Sequence, residues 1–237
     1  MKPWQGDHLR LVSSAEGIED TFATILSEVK RLEFDFCAFG MRSPVPMTAP
    51  RLIWCSNYPA GWRKRYKENA YWHRDPTVIH AIVSDEPVLW SDELFARCSD
   101  IQAEARAHGL VYGLTQPRRD AHGIMSLLSC VRTEPAITHD EFLAKIERMH
   151  WLSHLCHAGM LKHWRKVLCA YPETELSSRE LEVLRWSCDG KTSADIAQII
   201  GVSLATVNFH TRNACQKLGA VNKTSAAVRA ALLGLLW

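Results

Sequence analysis

The spacing of apolar positions changes along the chain, and each change marks an element. Residues 1–15 carry no periodic pattern and are expected to form an arm. From Glu16 onward Phe22, Ile25, Leu26, Val29 and Leu32 recur at three- and four-residue steps, which predicts a helix with one face to bury. Phe34 to Met41 is aromatic and small-apolar and predicts a buried strand. Leu52 to Cys55 predicts a second, paired antiparallel with the first across the loop Ser43-Pro44-Val45-Pro46. Pro59 and Pro76 sit where helices begin, predicting short helices over 62–71 and 77–84. Another helix is expected from Asp92 to His108, closed by Gly109. Strands from Leu110 to Gln116 and from Gly123 to Arg132 follow, joined by the basic turn Arg118-Arg119-Asp120, and then a long helix from His139 to about Val167. This order predicts an antiparallel sheet covered by helices on both faces.

At 168–175 the periodicity is lost around Tyr171-Pro172-Glu173-Thr174-Glu175, and a linker is expected there. Beyond it the pattern is helical throughout. Ser177 and Glu180 have capping-box spacing ahead of a helix that carries Leu181, Leu184 and Cys188 on one face and stops at Asp189-Gly190. Thr192-Ser193-Ala194-Asp195 opens a short second helix with Ile196, Ile199 and Ile200 on one side. Gly201 ends it, and Ser203 caps a third helix from Leu204 to Leu218, with Val207, Ala214 and Leu218 inward. A last helix is expected from Ala226 to Leu236. Its Ala227, Ala231 and Gly234 admit either a partner backbone or the rest of their own domain. The expected fold class is therefore α+β: an N-terminal α/β/α sandwich with an antiparallel sheet over 1–167, plus a C-terminal all-α helix-turn-helix domain over 176–237.

Composition sharpens this division. The chain has 237 residues, enough for one substantial domain and one small one. Residues 1–175 carry 21 Lys and Arg against 22 Asp and Glu, whereas 176–237 carry seven against four. A basic small domain beside a near-neutral large one fits a nucleic-acid reader joined to a unit with another task. The eight cysteines are scattered, form no CxxC pair, and read as free thiols in a reducing compartment. No secretory signal opens the chain and no apolar run reaches ~18 residues, so a cytoplasmic protein without membrane contact is expected.

Two short helices meeting through Gly201-Val202-Ser203 fit the motif whose second helix enters the DNA major groove. Asn208 and Arg212 lie four apart and project from one face; arginine suits guanine and asparagine suits adenine. Phe209 stands beside them. Around that face Thr192, Ser193, Ser203, Thr206, His210, Lys217 and Lys223 are candidate donors to phosphates. An ordinary three-helix bundle with a solvated polar face is the competing reading.

Leu176 to Lys223 resembles the C-terminal domain of LuxR-type transcription regulators. The residues that carry the resemblance include Leu176-Ser177-Ser178-Arg179-Glu180, Gly190-Lys191-Thr192-Ser193, Thr206-Val207-Asn208-Phe209-His210 and Lys217-Leu218-Gly219-Ala220. Many members have lysine after Thr-Val where this chain has Asn208. Upstream, aromatic residues cluster around the acid Asp75, which from its place before Pro76 either caps the next helix or meets a bound partner. Residues from about Phe36 to Arg132 resemble the autoinducer-binding domain of the same family, the receptors for N-acyl-homoserine lactones. That resemblance rests on Asn57-Tyr58-Pro59, Trp62, Tyr66, Asp75-Pro76-Thr77-Val78, Trp90, Gly109-Leu110 and Leu128-Ser129. It implies that Trp62 donates to the lactone carbonyl, that Asp75 accepts the amide N–H, and that Tyr58 and Ser129 donate to the acyl carbonyl. It further implies that Tyr66, Val78, Trp90, Phe95, Ile101, Ala105, Leu110 and Leu127 line the lactone and acyl sites.

The function implied is a ligand-responsive transcription regulator, not an enzyme, with no cofactor beyond the lactone signal. Its implied partners are a palindromic double-stranded DNA site, a second copy of the chain, and RNA polymerase. A hydrolase would need an activated nucleophile, yet no GxSxG elbow or HExxH motif occurs. His150, His154 and His157 share a helical face, open to a metal or to a subunit contact. A receptor for a different small molecule is the remaining alternative.

Overall fold

The computed structural model describes residues 3–168 and 175–237. The chain divides into two compact units, one of 1–42, 52–119 and 125–165, the other of 43–51, 120–124 and 166–237. The linker expected at 168–175 lies for the most part outside the described residues.

The first unit is built on a five-stranded antiparallel sheet of order β2-β1-β5-β4-β3. Its strands are β1 Phe36–Arg42, β2 Leu52–Ser56, β3 Val88–Leu89, β4 Tyr112–Arg119 and β5 Met125–Arg132. Its helices are α1 Pro3–Ser14, α2 Ile18–Arg31, α3 Ala60–Glu68, α4 Pro76–Val83, α5 Ser99–Ala107 and α6 His139–Leu168, with a 3-10 turn over Tyr71–His73. Strand alternation divides β1 sharply. Cys37, Phe39 and Met41 are buried on the face covered by α2 and α6, where Phe39 stacks on Trp164 and the Ser126 hydroxyl meets His157 Nδ1 at 2.7 Å. Ala38, Gly40 and Arg42 look the other way. The described cysteines are free thiols, and those at 37, 130 and 156 are fully buried.

Several expectations are corrected. Residues 3–14 form α1 rather than an arm: Val12 and Ala15 are buried near its end, too few contacts to leave a periodic signature. The helix expected from Asp92 begins only at Ser99, because the Asp92 carboxylate instead accepts from Gln102 and Arg106. The edge strand β3 had no sequence signal, and β4 runs through Pro117 to Arg119. The Trp90 N–H donates to Gly113 O, so the backbone of 113, 115 and 117 faces the β3 side, where two-residue β3 has already ended and a proline needs no N–H partner.

The start of α6 is fixed by Arg132, which is buried and forks onto Glu141 at 2.8 and 2.6 Å; Lys145 shares the same carboxylate. The Arg132 hydrogen bond, aided by Lys145 against the cost of burial, pulls the Glu141 carboxyl down to about 2.

The second unit holds α7 Ser178–Cys188, α8 Ser193–Ile200, α9 Leu204–Leu218 and α10 Lys223–Leu232. Each start is capped as local chemistry requires: Ser177 with Glu180 and Thr192 with Asp195 form complete capping boxes, while Ser203 and Asn222 accept from the N–H three residues on. Gly201 closes α8 at φ 68, a left-handed conformation that glycine adopts freely. Val183, Ile196 and Val207 form one core, and Leu184, Ala214 and Leu218 form a second with Ala226, Ala227 and Ala230 of α10. Ala227 therefore packs inside its own unit. The final helix starts at Lys223 rather than Ala226 because Asn222 caps it.

Candidate ligand chamber and nucleic-acid interface

Over the open face of the sheet lies a cavity of about 270 Å³, at the small end of ligand chambers. Cross-strand pairing builds its floor. Ala38 stands opposite Ser129, Gly40 opposite Leu127 and Arg42 opposite Met125, with Trp54 and Leu52 flanking the last two rungs from β2. α3, the 3-10 turn and α4 supply the roof through Tyr58, Trp62, Tyr66, Trp72, Asp75, Thr77 and Val78.

The polar groups gather at one end. Asp75 caps α4: its Oδ1 accepts from the Thr77 N–H at 2.9 Å and the Thr77 hydroxyl at 2.6 Å, while Oδ2 accepts from the Tyr66 hydroxyl at 2.8 Å. A carboxylate offers about four acceptor positions, so one remains. Burial, reinforced by the Asp75 charge, pushes the Tyr66 phenol well above its usual range and keeps it a donor. Burial also raises the Tyr58 phenol, more strongly than the neighbouring Ser129 hydroxyl lowers it. Tyr58 is 8% exposed, and its buried hydroxyl meets no partner in hydrogen-bonding geometry. Trp62 is buried among the rings of Tyr66, Tyr71 and His108.

A relay fixes the opposite wall. The Trp90 indole N–H donates to Thr115 Oγ1 at 2.9 Å, and Thr115 Oγ1 lies 2.8 Å from Ser129 Oγ. Trp90 lies flat on Gly113, where a Cβ would come within 2.4 Å of the indole, so only glycine allows this approach.

In the second unit, α9 presents Asn208, Phe209 and Arg212 to solvent, with Phe209 56% exposed. Among the described residues Arg212 has no ion-pair partner. Five of the other expected donors are engaged internally. Thr192 and Ser203 serve their caps, and Thr206 bonds Ser203 through its hydroxyl. Lys223 donates to Lys191 O, and Lys217 Nζ donates to Glu180 Oε2 at 2.8 Å and to Glu175 O at 3.0 Å. Burial would raise the Glu180 carboxyl, but the Lys217 ammonium and the Ser177 N–H together hold it below the ordinary range.

Residues 17–160 match the autoinducer binding domain, and residues 174–230 match the bacterial regulatory proteins of the luxR family. The chain belongs to the LuxR family. It is 41% identical over 238 residues to the transcriptional activator AnoR of Acinetobacter nosocomialis, with all of both chains covered. It is 36% identical over 235 residues to the quorum-sensing regulator RhlR of Pseudomonas aeruginosa, covering 98% of this chain and 96% of that one. The structure of SdiA in complex with octanoyl-rac-glycerol superposes with a TM-score of 0.81 at 33% identity, covering 98% of this chain and 95% of that chain; SdiA is the regulatory protein of Escherichia coli. This LuxR-family chain is thus a ligand-responsive transcription regulator of the quorum-sensing class, and its relatives are regulators rather than enzymes.

Of the expected ligand residues, Tyr58, Trp62, Tyr66, Asp75, Val78, Trp90, Leu127 and Ser129 line the chamber together. Phe95, Ile101, Ala105 and Leu110 do not. They form the packed cluster behind Trp62 and Tyr71, shaping the wall from outside. Gly40, Arg42, Leu52, Trp54, Trp72, Thr77 and Met125 line the chamber without having been expected. The strand members among them share one face once the register is known, so period-two reading of β1, β2 and β5 was the available signal. His150, His154 and His157 of α6 do not act as one set: His157 meets Ser126, and His154 stacks on Trp151. Among the described residues no group of three or more metal-ligating side chains forms.

Proposed function

We propose that the chamber binds an N-acyl-homoserine lactone and that the filled protein binds an inverted-repeat DNA site as a dimer. The observation that carries this is the buried, unpartnered Tyr58 hydroxyl beside an Asp75 carboxylate with one acceptor position left. A buried hydroxyl without a partner costs about 1–3 kcal/mol, which an acyl carbonyl recovers. The amide N–H fits the remaining Asp75 position, the lactone carbonyl fits the Trp62 indole N–H, and the tail follows the apolar floor past Leu127. The SdiA complex supports an acyl tail in such a chamber, since its ligand carries an octanoyl group.

On DNA, Asn208 and Arg212 are the base readers, Phe209 supplies apolar contact, and Ser193, Thr206 and His210 lie beside the phosphates. Two such helices on a two-fold axis read half-sites roughly 34 Å apart, with residues 1–167 as sensor, 176–237 as reader and RNA polymerase as the partner of the bound dimer.

The test is a mass spectrum of small molecules extracted from protein expressed with a mixture of acyl-homoserine lactones. Co-purification of one lactone at a one-to-one ratio is expected. Its absence, with another small molecule in its place, would transfer the site to that chemistry.

A further inference from the structure

We propose that Arg42 selects among acyl tails, favouring those with an acceptor oxygen at the far end over plain hydrocarbon tails of equal length. This rests on the lactone reading above and adds to it the chemistry of the tail.

The sheet floor is a ladder of three rungs. The first, Ala38 with Ser129, lies at the polar end; the second is Gly40 with Leu127; the third is Arg42 with Met125 and Leu52. The third rung is about 13 Å along the strand from the first, at ~3.3 Å per residue. The middle rung is open by sequence choice rather than by packing need. A Cβ at Gly40 would make only ordinary contacts, 3.8 Å to Ile53 O and 3.9 Å to Trp54 Cβ, so the missing side chain leaves width for a tail running toward Arg42.

Arg42 lines this end with Leu52 and Met125 as cross-strand neighbours. Among the described residues its guanidinium has no hydrogen-bond or ion-pair partner, and the one carboxylate lining the chamber, Asp75, is held by Thr77 and Tyr66. A guanidinium carries five donors. A hydrocarbon tail reaching it strips water from those donors and returns nothing, whereas a hydroxyl or carbonyl oxygen accepts from them.

The experiment is competitive binding of N-decanoyl-homoserine lactone and its ω-hydroxy analogue to the full chain, in wild type, Arg42→Met and Arg42→Lys. Wild type should prefer the hydroxylated tail by roughly tenfold to a hundredfold, the range of a hydrogen bond to a charged group. Arg42→Lys should keep the direction of the preference, and Arg42→Met should abolish or reverse it. An equal affinity of wild type for the two tails overturns the proposal even if Arg42→Met does not fold. So does an Arg42→Met protein that binds both lactones with the wild-type ratio. Wild type that binds neither lactone overturns the receptor reading itself, and this inference with it.

Discussion

Polar side chains in the first unit turn inward around a chamber, whereas those of the second unit close helix ends, pair with one another or face solvent. In the first, Tyr58 is left without a partner and Asp75 retains an acceptor position. In the second, Ser177, Thr192, Ser203 and Asn222 each satisfy a helix terminus, and Lys217 neutralises Glu180. One interior is completed by a ligand and the other is already complete. A bound molecule therefore stabilises the sensor unit by mass action, about 2.7 kcal/mol at a hundredfold excess over its Kd, with no equivalent term in the reader unit.

The comparison can be broken most forcefully at Lys217. Replacing it by Met leaves Glu180 buried and unpaired, and should lower reader-unit stability by about 3 kcal/mol. Urea unfolding should show the loss, and adding Glu180→Gln should recover most of it. A stable Lys217→Met protein with uniformly weaker DNA binding would instead return Lys217 to the phosphate role. Next, Asp75→Ala removes both a cap worth about 1 kcal/mol and the acceptor for the ligand amide, so lactone binding and the lactone-dependent stability gain should both disappear. Arg212→Ala should cost about 1–3 kcal/mol at one base position of each half-site, leaving lactone affinity unchanged; binding to single-base operator variants measures it.

A further effect is a pH dependence carried in the first unit by Glu141. Glu141 is depressed from 4.5 to about 2, so its contribution is complete above about pH 4.5 and is lost as pH falls toward 2. Glu141→Gln should flatten that acid limb, read by unfolding against pH.

The same contrast explains what the sequence disclosed. Caps are local, so Ser177 with Glu180 and Thr192 with Asp195 could be read from a spacing of three, and the helices of the reader unit followed. A chamber is not local. Tyr58, Trp62 and Asp75 were found through resemblance, but Gly40, Trp54 and Met125 join it only through β1 pairing with β2 and β5. The Trp90–Thr115–Ser129 relay likewise spans three segments. Phe95 and Ile101 were apolar in the right region, yet pattern alone could not tell the cavity surface from the packing behind it. Lys217 shows the same limit in the second unit: a basic residue on a basic domain suggests phosphate, and its pairing with Glu180, 37 residues away, leaves no local signature.

Hydrogen exchange on the full chain, with and without a saturating acyl-homoserine lactone and in the absence of DNA, tests the central claim most directly. The account predicts that amides of α3, α4 and β5 gain protection by more than tenfold while those of α7 to α9 exchange at unchanged rates. Protection that fails to rise around Tyr58, Trp62 and Asp75, or that rises equally in both units, would contradict it.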